Sequence, residues 1–212
     1  MLAAIDLASD DGRYSDQDYD TVIAAIEDLV GEAPVDAPLD HQSFVTAPWA
    51  TLFASFGPKH TAGKPVVHET NLSLQSFARF PKTPIRVLDI VQEIEHRTKT
   101  YSNVTQIETI DARVQATLIV HGRYRDDDDN RQRYQVDFYA AQLTSDALDA
   151  AAIRSAFQLD TDSALVQTLS PPKLYSDVVY CDDLLRINYG SMSGIYVMKR
   201  LKQPFQSVKA DA

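Results

Sequence analysis

Between Thr100 and Thr144 the chain runs through TYSNVTQIETI, DARVQATLIVHGRYR and RQRYQVDFYAAQLT, and the last two are joined by DDDDN at 126–130. These stretches are rich in β-branched and aromatic residues, with polar residues interleaved as a pleated strand requires. They predict successive antiparallel strands and a long hairpin with a polar tip. The C-terminal run YSDVVYCDDLLRINY, GSMSG, IYVMKRL reads as a second strand, turn and strand. By alternation, Asp183, Leu185, Ile187 and Tyr189 share one face of its first strand, and Asp182, Leu184, Arg186 and Asn188 the other. Further upstream, WATLFASF follows Pro48. Here Trp49, Thr51, Phe53 and Ser55 would share one strand face, opposite Leu52 and Phe56. The segment RVLDIVQEIEH fits both the helical and the strand period.

One helix stands out against this β pattern. In SDQDYDTVIAAIEDLVG, Tyr19, Val22, Ile23, Ile26, Leu29 and Val30 recur at helical spacing. Ser15 is placed to cap its start, Asp16 and Asp18 favour the positive end of its dipole, and Gly31 can end it. A membrane-surface helix would carry Lys or Arg on its polar face, and this face is acidic. EAPVDAPLDH reads as a linker, GPKHTAGKP as a loop, and VVHETNLSLQSFARF as broken strand ending at Pro81. The Ala-rich segment 145–157 predicts a short helix. The expected class is α+β with a predominantly antiparallel β body.

At 212 residues, 44% of them hydrophobic, the chain can bury a core as one domain. A net charge of −10 disfavours phosphate backbones, so nucleic acid is not an expected partner. The sole cysteine, Cys181, excludes an internal disulfide framework and suits a reducing compartment. The N-terminus lacks a basic n-region, and no window has the run of apolar residues that a membrane-spanning helix needs. The expectation is a soluble, cytoplasmic protein, with peripheral lipid contact left open.

Catalytic signatures are missing: no G-x-S-x-G, P-loop, Rossmann glycine pattern or H-E-x-x-H occurs. His41, His60, His68, His96 and His121 lack ligand spacing, so no metal and no cofactor is expected. Asp126 to Asp129 lack the alternating ligands of a calcium loop and read as a solvated turn. Cys181, beside Asp182 and Asp183, is set up as a poor nucleophile.

The pattern Y-x-D-D-L-L-R-I-N-Y-G-S-M-S-G-I-Y-V-M resembles the C-terminal motif of the plastid-lipid-associated (fibrillin) family. There an acidic residue, Leu-Arg-Ile and a glycine-bounded turn precede a hydrophobic last strand. PWATLFASF is similar to that family's early Trp-containing strand, and VQEIEHRTKTYSNVTQIET to its Gln-x-Ile and Tyr-x-Asn-Val strands. Gln92, Ile94, Tyr101, Asn103 and Val104 are the matching positions. A basic residue often seen after Leu-Arg-Ile is Tyr189 here, and the acidic N-terminus is unlike a plastid transit peptide.

The resemblance implies a lipocalin-like antiparallel β-barrel with an N-terminal helix. The division is then a tail at 1–14 and a single domain at 15–212, with helix 15–30, linker 31–48 and barrel 49–201. It also implies that Trp49 and Arg186 meet beneath a closed barrel end, where Arg186 reads either as a plug neutralised by Asp182 or Asp183 or as the binder of a ligand head group. The segment 87–109 becomes a β-hairpin. The expected function is non-enzymatic binding of a hydrophobic small molecule or lipid, since a barrel of this size can enclose one small ligand. Candidate lining residues by alternation are Phe53, Ile94, Val104, Leu118, Val120, Phe138, Leu185, Ile187 and Val197. Tyr180, Tyr189 and Tyr196 are candidates for its polar ends. The alternatives are an interaction module with a filled barrel and an enzyme using Asp182, Asp183 and a histidine.

Overall fold

The alternating segments become strands that share one sheet. The structure, a computed structural model, describes residues 1–7, 14–32, 37–41, 46–56, 73–76, 78–170 and 173–202. Five strands follow in order: β1 Ala47–Phe56, β2 Ile85–Glu95, β3 Thr100–Thr109, β4 Gln115–Asp126 and β5 Arg133–Thr144. A short β6, Val166–Thr168, is followed by β7 Leu174–Cys181, β8 Leu185–Gly190 and β9 Gly194–Arg200. The ambiguous segment is therefore strand, and 87–109 lies within the β2–β3 hairpin, paired from Ile85↔Thr109 to Glu95↔Thr100.

The sheet order is β4-β3-β2-β1-β9-β8-β7-β5-β6, and β4 also pairs with β5. That last pairing closes an eight-stranded antiparallel barrel and leaves β6 as a flap on β5. Strand β5 serves both neighbours in turn. Its start, Arg133–Val136, pairs with β7, and further on Ala140–Gln142 pair with β6. Closure gives each of the eight barrel strands a neighbour on both sides, although β1 pairs with β2 only through Ala47–Ala50 and Val91–Ile94 among the described residues.

Register and bulges fix which side chains point inward. Trp49 lies opposite Arg200 and Gln92, and Arg186 opposite Met198 and Cys181. Bulges at Leu52 in β1, Leu88 in β2, Tyr139 in β5 and Val179 in β7 each switch the phase of alternation of their strand. Beside the β5 bulge the strands crowd. A Cβ on Gly122 would lie 2.5 Å from the Tyr101 carbonyl oxygen and 2.8 Å from the Phe138 ring. Only glycine fits there.

Helix α1, Leu2–Ile5, is one turn, and α2, Asp16–Gly31, matches the expected amphipathic helix. The Ser15 side chain accepts from the Asp18 amide at 3.1 Å, as a cap should. The α2 stripe of Tyr19, Val22 and Ile26 packs with Ile5, Phe53, Ile187 and Val197. Ile5 shows that the N-terminal segment adds to this packing. The Tyr19 and Ser55 hydroxyls meet at 3.0 Å.

Two further clusters fill the ends of the barrel. In one, Ile85, Val87, Ile107, Leu118 and Leu143 pack with Ile153 and Phe157. These last come from α3, Ala150–Ala156, and the residue after it, within the predicted helical segment. Thr83 donates to the Phe157 carbonyl at 2.7 Å and ties the cap to the rim. The other cluster gathers Trp49, Ile94, Tyr101, Tyr124, Tyr134, Val136, Val178 and Met198, with Leu39 from a 3-10 turn at Pro38–Asp40. Part of the predicted linker is therefore a plug. The predicted loop 57–65 and the first part of the predicted broken strand lie outside the described residues, as do His60 and His68. Leu74–Ser76 form a 3-10 turn, and Ser73 bridges Pro84.

Among the described residues, no helix is long and apolar enough to cross a membrane.

Candidate functional site

The Trp49 end of the interior is built around a buried cation. Arg186 and Trp49 are both fully buried, and the guanidinium lies 4.8 Å from the indole centroid. Arg200 approaches the same ring at 4.7 Å, so the indole has two cationic neighbours. The geometry follows from register: Trp49 and Arg200 are cross-strand partners, and Arg186 reaches across Met198 toward them. Arg186 Nη2 donates to the Gln92 side-chain oxygen and contacts the Met198 sulfur at 3.2 Å.

The carboxylate expected beside Arg186 is elsewhere. Asp182 Oδ1 accepts from the Leu184 and Leu185 amides, each at 2.7 Å, and Oδ2 accepts from the Tyr180 hydroxyl at 2.7 Å. Burial works to raise the Asp182 carboxyl, but the Tyr180 hydroxyl and these amides hold it below the usual carboxylate range. Asp182 thus caps the β7–β8 turn and does not neutralise the interior. Asp183 is exposed in that turn. Among the described residues no carboxylate pairs with Arg186.

Arg186 Nε and Nη1 are buried without a hydrogen-bond partner, as are the Tyr134 hydroxyl and Asn188 Oδ1. The Asn188 amide nitrogen is satisfied, donating to Ser176 at 2.7 Å. Tyr134 stands edge-on to Tyr124 at 5.0 Å and to Tyr101 at 6.0 Å, and Tyr101 meets Phe138 at 6.1 Å. Burial drives the Tyr134 phenol well above its ordinary value, with the Arg186 charge opposing. Tyr101 is likewise raised by burial, against Arg186 and the neighbouring Ser176 and Gln92 side chains. These phenols stay protonated donors at neutral pH.

Of the lining candidates, Ile94, Leu118, Val120, Phe138 and Tyr196 point inward. Leu118 belongs to the cluster at the α3 end, and Ile94, Phe138 and Tyr196 to the cluster around Trp49. The remaining candidates point outward. Phe53, Tyr180, Ile187, Tyr189 and Val197 pack in the cluster beneath α2. Leu185 pairs with outward Lys199, and Val104 with outward Val91 and Ile119. The physical reasons are specific. Arg186 inside forces its neighbours Leu185 and Ile187 outside, because adjacent strand residues face opposite ways. The bulge after Thr51 turns Phe53 outward, and that between Val178 and Tyr180 does the same to Tyr180.

Sequence reasoning missed the tyrosine cluster and the inward role of Asn188. Both were detectable: Asn188 shares the Arg186 face, and Tyr124 and Tyr134 flank the polar hairpin tip. At that tip Asp127 Oδ1 accepts from the Asp129 amide at 3.0 Å and the Asn130 amide at 3.1 Å, while Asp126 pairs with Lys99 at 2.7 Å. Among the described residues no group of three or more His, Cys, Asp or Glu could hold a metal. Burial pushes the Cys181 thiol up to about 11, although Arg186 and Arg200 work against it.

Comparison with protein-family models, curated proteins and solved structures finds no match to this chain.

Proposed function

We propose that the chain is a binding protein that holds one hydrophobic small molecule or lipid inside its barrel and performs no chemistry on it. The observation that carries this reading is a set of inward apolar side chains that are not fully buried. Ile90, Phe138 and Tyr196 point inward from β2, β5 and β9 and are only half-buried, Ile90 beside the cluster at the α3 end and Phe138 and Tyr196 beside the cluster around Trp49. Concave apolar surface with a few polar groups is the usual character of a small-molecule site. The resemblance of the Leu185-Arg186-Ile187 hairpin to the plastid-lipid-associated family points the same way. Cys181, held protonated, is a poor candidate for a nucleophile. The apolar stripe of α2 is already spent on the barrel wall, which leaves less for an interaction module to offer.

Native mass spectrometry of the full chain, purified from its expression host and compared with a control protein, tests the proposal. A retained apolar molecule, recovered by solvent extraction and absent from the control, is the expected result. An extract identical to the control, together with no uptake of a neutral solvatochromic dye by the protein, would overturn it.

A further inference from the structure

The barrel holds a cation that no described residue neutralises. Arg186 is fully buried and forms no ion pair among the described residues, and its Nε and Nη1 have no hydrogen-bond partner. Those two nitrogens carry three N–H donors, and the adjoining Tyr134 hydroxyl adds a fourth without an acceptor. A guanidinium out of water without a counter-ion is strongly unfavourable. The inward residues around it, Gln92, Tyr101, Ser176, Asn188 and Met198, are all uncharged, and the nearby Arg200 adds positive charge.

Resting on the binding function proposed above, we infer that Arg186 and Tyr134 form a receptor for the carboxylate of an amphipathic acid whose apolar body lies along Phe138, Tyr196 and Ile90. A carboxylate supplies acceptors only, which is what three guanidinium N–H groups and a protonated phenol lack. Asn188 Oδ1 is itself an acceptor and gives an anion no help. The apolar body has a continuous path, because Phe138 touches Tyr101 in the same cluster as Tyr134. Trp49, the sole tryptophan, stacks on Arg186 and so reports on occupancy of the receptor.

The test uses the full chain, stripped of lipid, titrated with dodecanoate, dodecanol and methyl dodecanoate at neutral pH. Trp49 emission and displacement of a neutral solvatochromic dye are followed together. A charged hydrogen-bonded contact predicts that dodecanoate binds about 10- to 100-fold more tightly than the two neutral ligands. It also predicts that dodecanoate moves Trp49 emission more than they do. In Arg186→Gln the preference for the acid over the alcohol should disappear, and Tyr134→Phe should lose part of that preference. If acid, alcohol and ester bind wild-type protein equally, the carboxylate receptor is overturned and hydrophobic binding stands. If none displaces the dye, or the dye itself does not bind, both readings fall. The wild-type comparison decides the matter even where a variant fails to fold.

Discussion

Replacing Arg186 by methionine separates a structural plug from a ligand receptor. In the ligand-free protein the substitution removes the contact with Trp49, which sits at 4.8 Å and is worth about 2 kcal/mol when desolvated. It also takes the arginine donor from the Gln92 oxygen, a loss of about 1–3 kcal/mol. Against this stands the penalty of keeping an unpaired guanidinium out of water, several kcal/mol even after relaxation. Methionine fills much of the same length beside Met198 and needs no counter-ion. The terms nearly offset, so Arg186→Met should unfold within about 2 kcal/mol of wild type, on either side. Arg186→Ala leaves a cavity instead and should lie about 2–5 kcal/mol below Arg186→Met. Urea unfolding of delipidated protein, monitored by far-UV circular dichroism at constant m, measures both. A loss above about 4 kcal/mol in Arg186→Met would show that the guanidinium is a net stabiliser, and the reasoning from an unpaired charge would be wrong.

Gly122→Ala places a methyl group 2.5 Å from a backbone oxygen that cannot step aside, and should lower stability by about 1–3 kcal/mol in thermal or urea melts. Ile26→Ala, on the α2 stripe at 1% exposure, should cost about 2–5 kcal/mol by urea unfolding, with the barrel's circular dichroism retained before the transition. Tyr101, Tyr134 and Tyr196 all have phenols raised above 10.0 by burial. Their folded values exceed the unfolded one, so their contribution is intact below pH 10.0 and is lost as pH climbs toward the folded values. Alkaline titration should show tyrosinate absorbance from these three appearing only together with unfolding, and early smooth ionisation of all ten tyrosines would contradict this.

The period-two pattern from Thr100 to Thr144 was enough to place β3, β4 and β5, because every second residue must serve one face. The α2 stripe was equally legible from Tyr19 to Val30. Facing was harder. A bulge adds one residue and inverts everything beyond it, and nothing in Thr51-Leu52-Phe53 or Val178-Val179-Tyr180 marks one in advance. In the C-terminal hairpin the apolar face was expected inside, yet Arg186 and Asn188 point inward while Ile187 and Val197 meet α2. One signal was available: the apolar stripe of α2 needed an apolar partner outside the barrel, and the Phe53, Ile187 and Val197 set provides it. The separation of Asp182 from Arg186 follows from the turn. Its carboxylate is taken up by two amides and a tyrosine hydroxyl close by in sequence before it can reach the interior.

The most direct test of a ligand inside this barrel is where a bound chain touches the wall. Isotope-filtered NMR of methyl-labelled protein with unlabelled dodecanoate would record ligand contacts at methyl-bearing positions. Inward Ile90 and Val120 should show nuclear Overhauser effects to the ligand's methylene protons, and outward Val104 and Ile119 none. Contacts confined to Val104, Ile119 or the α2 face, with Ile90 and Val120 unaffected at saturation, would contradict the interior site.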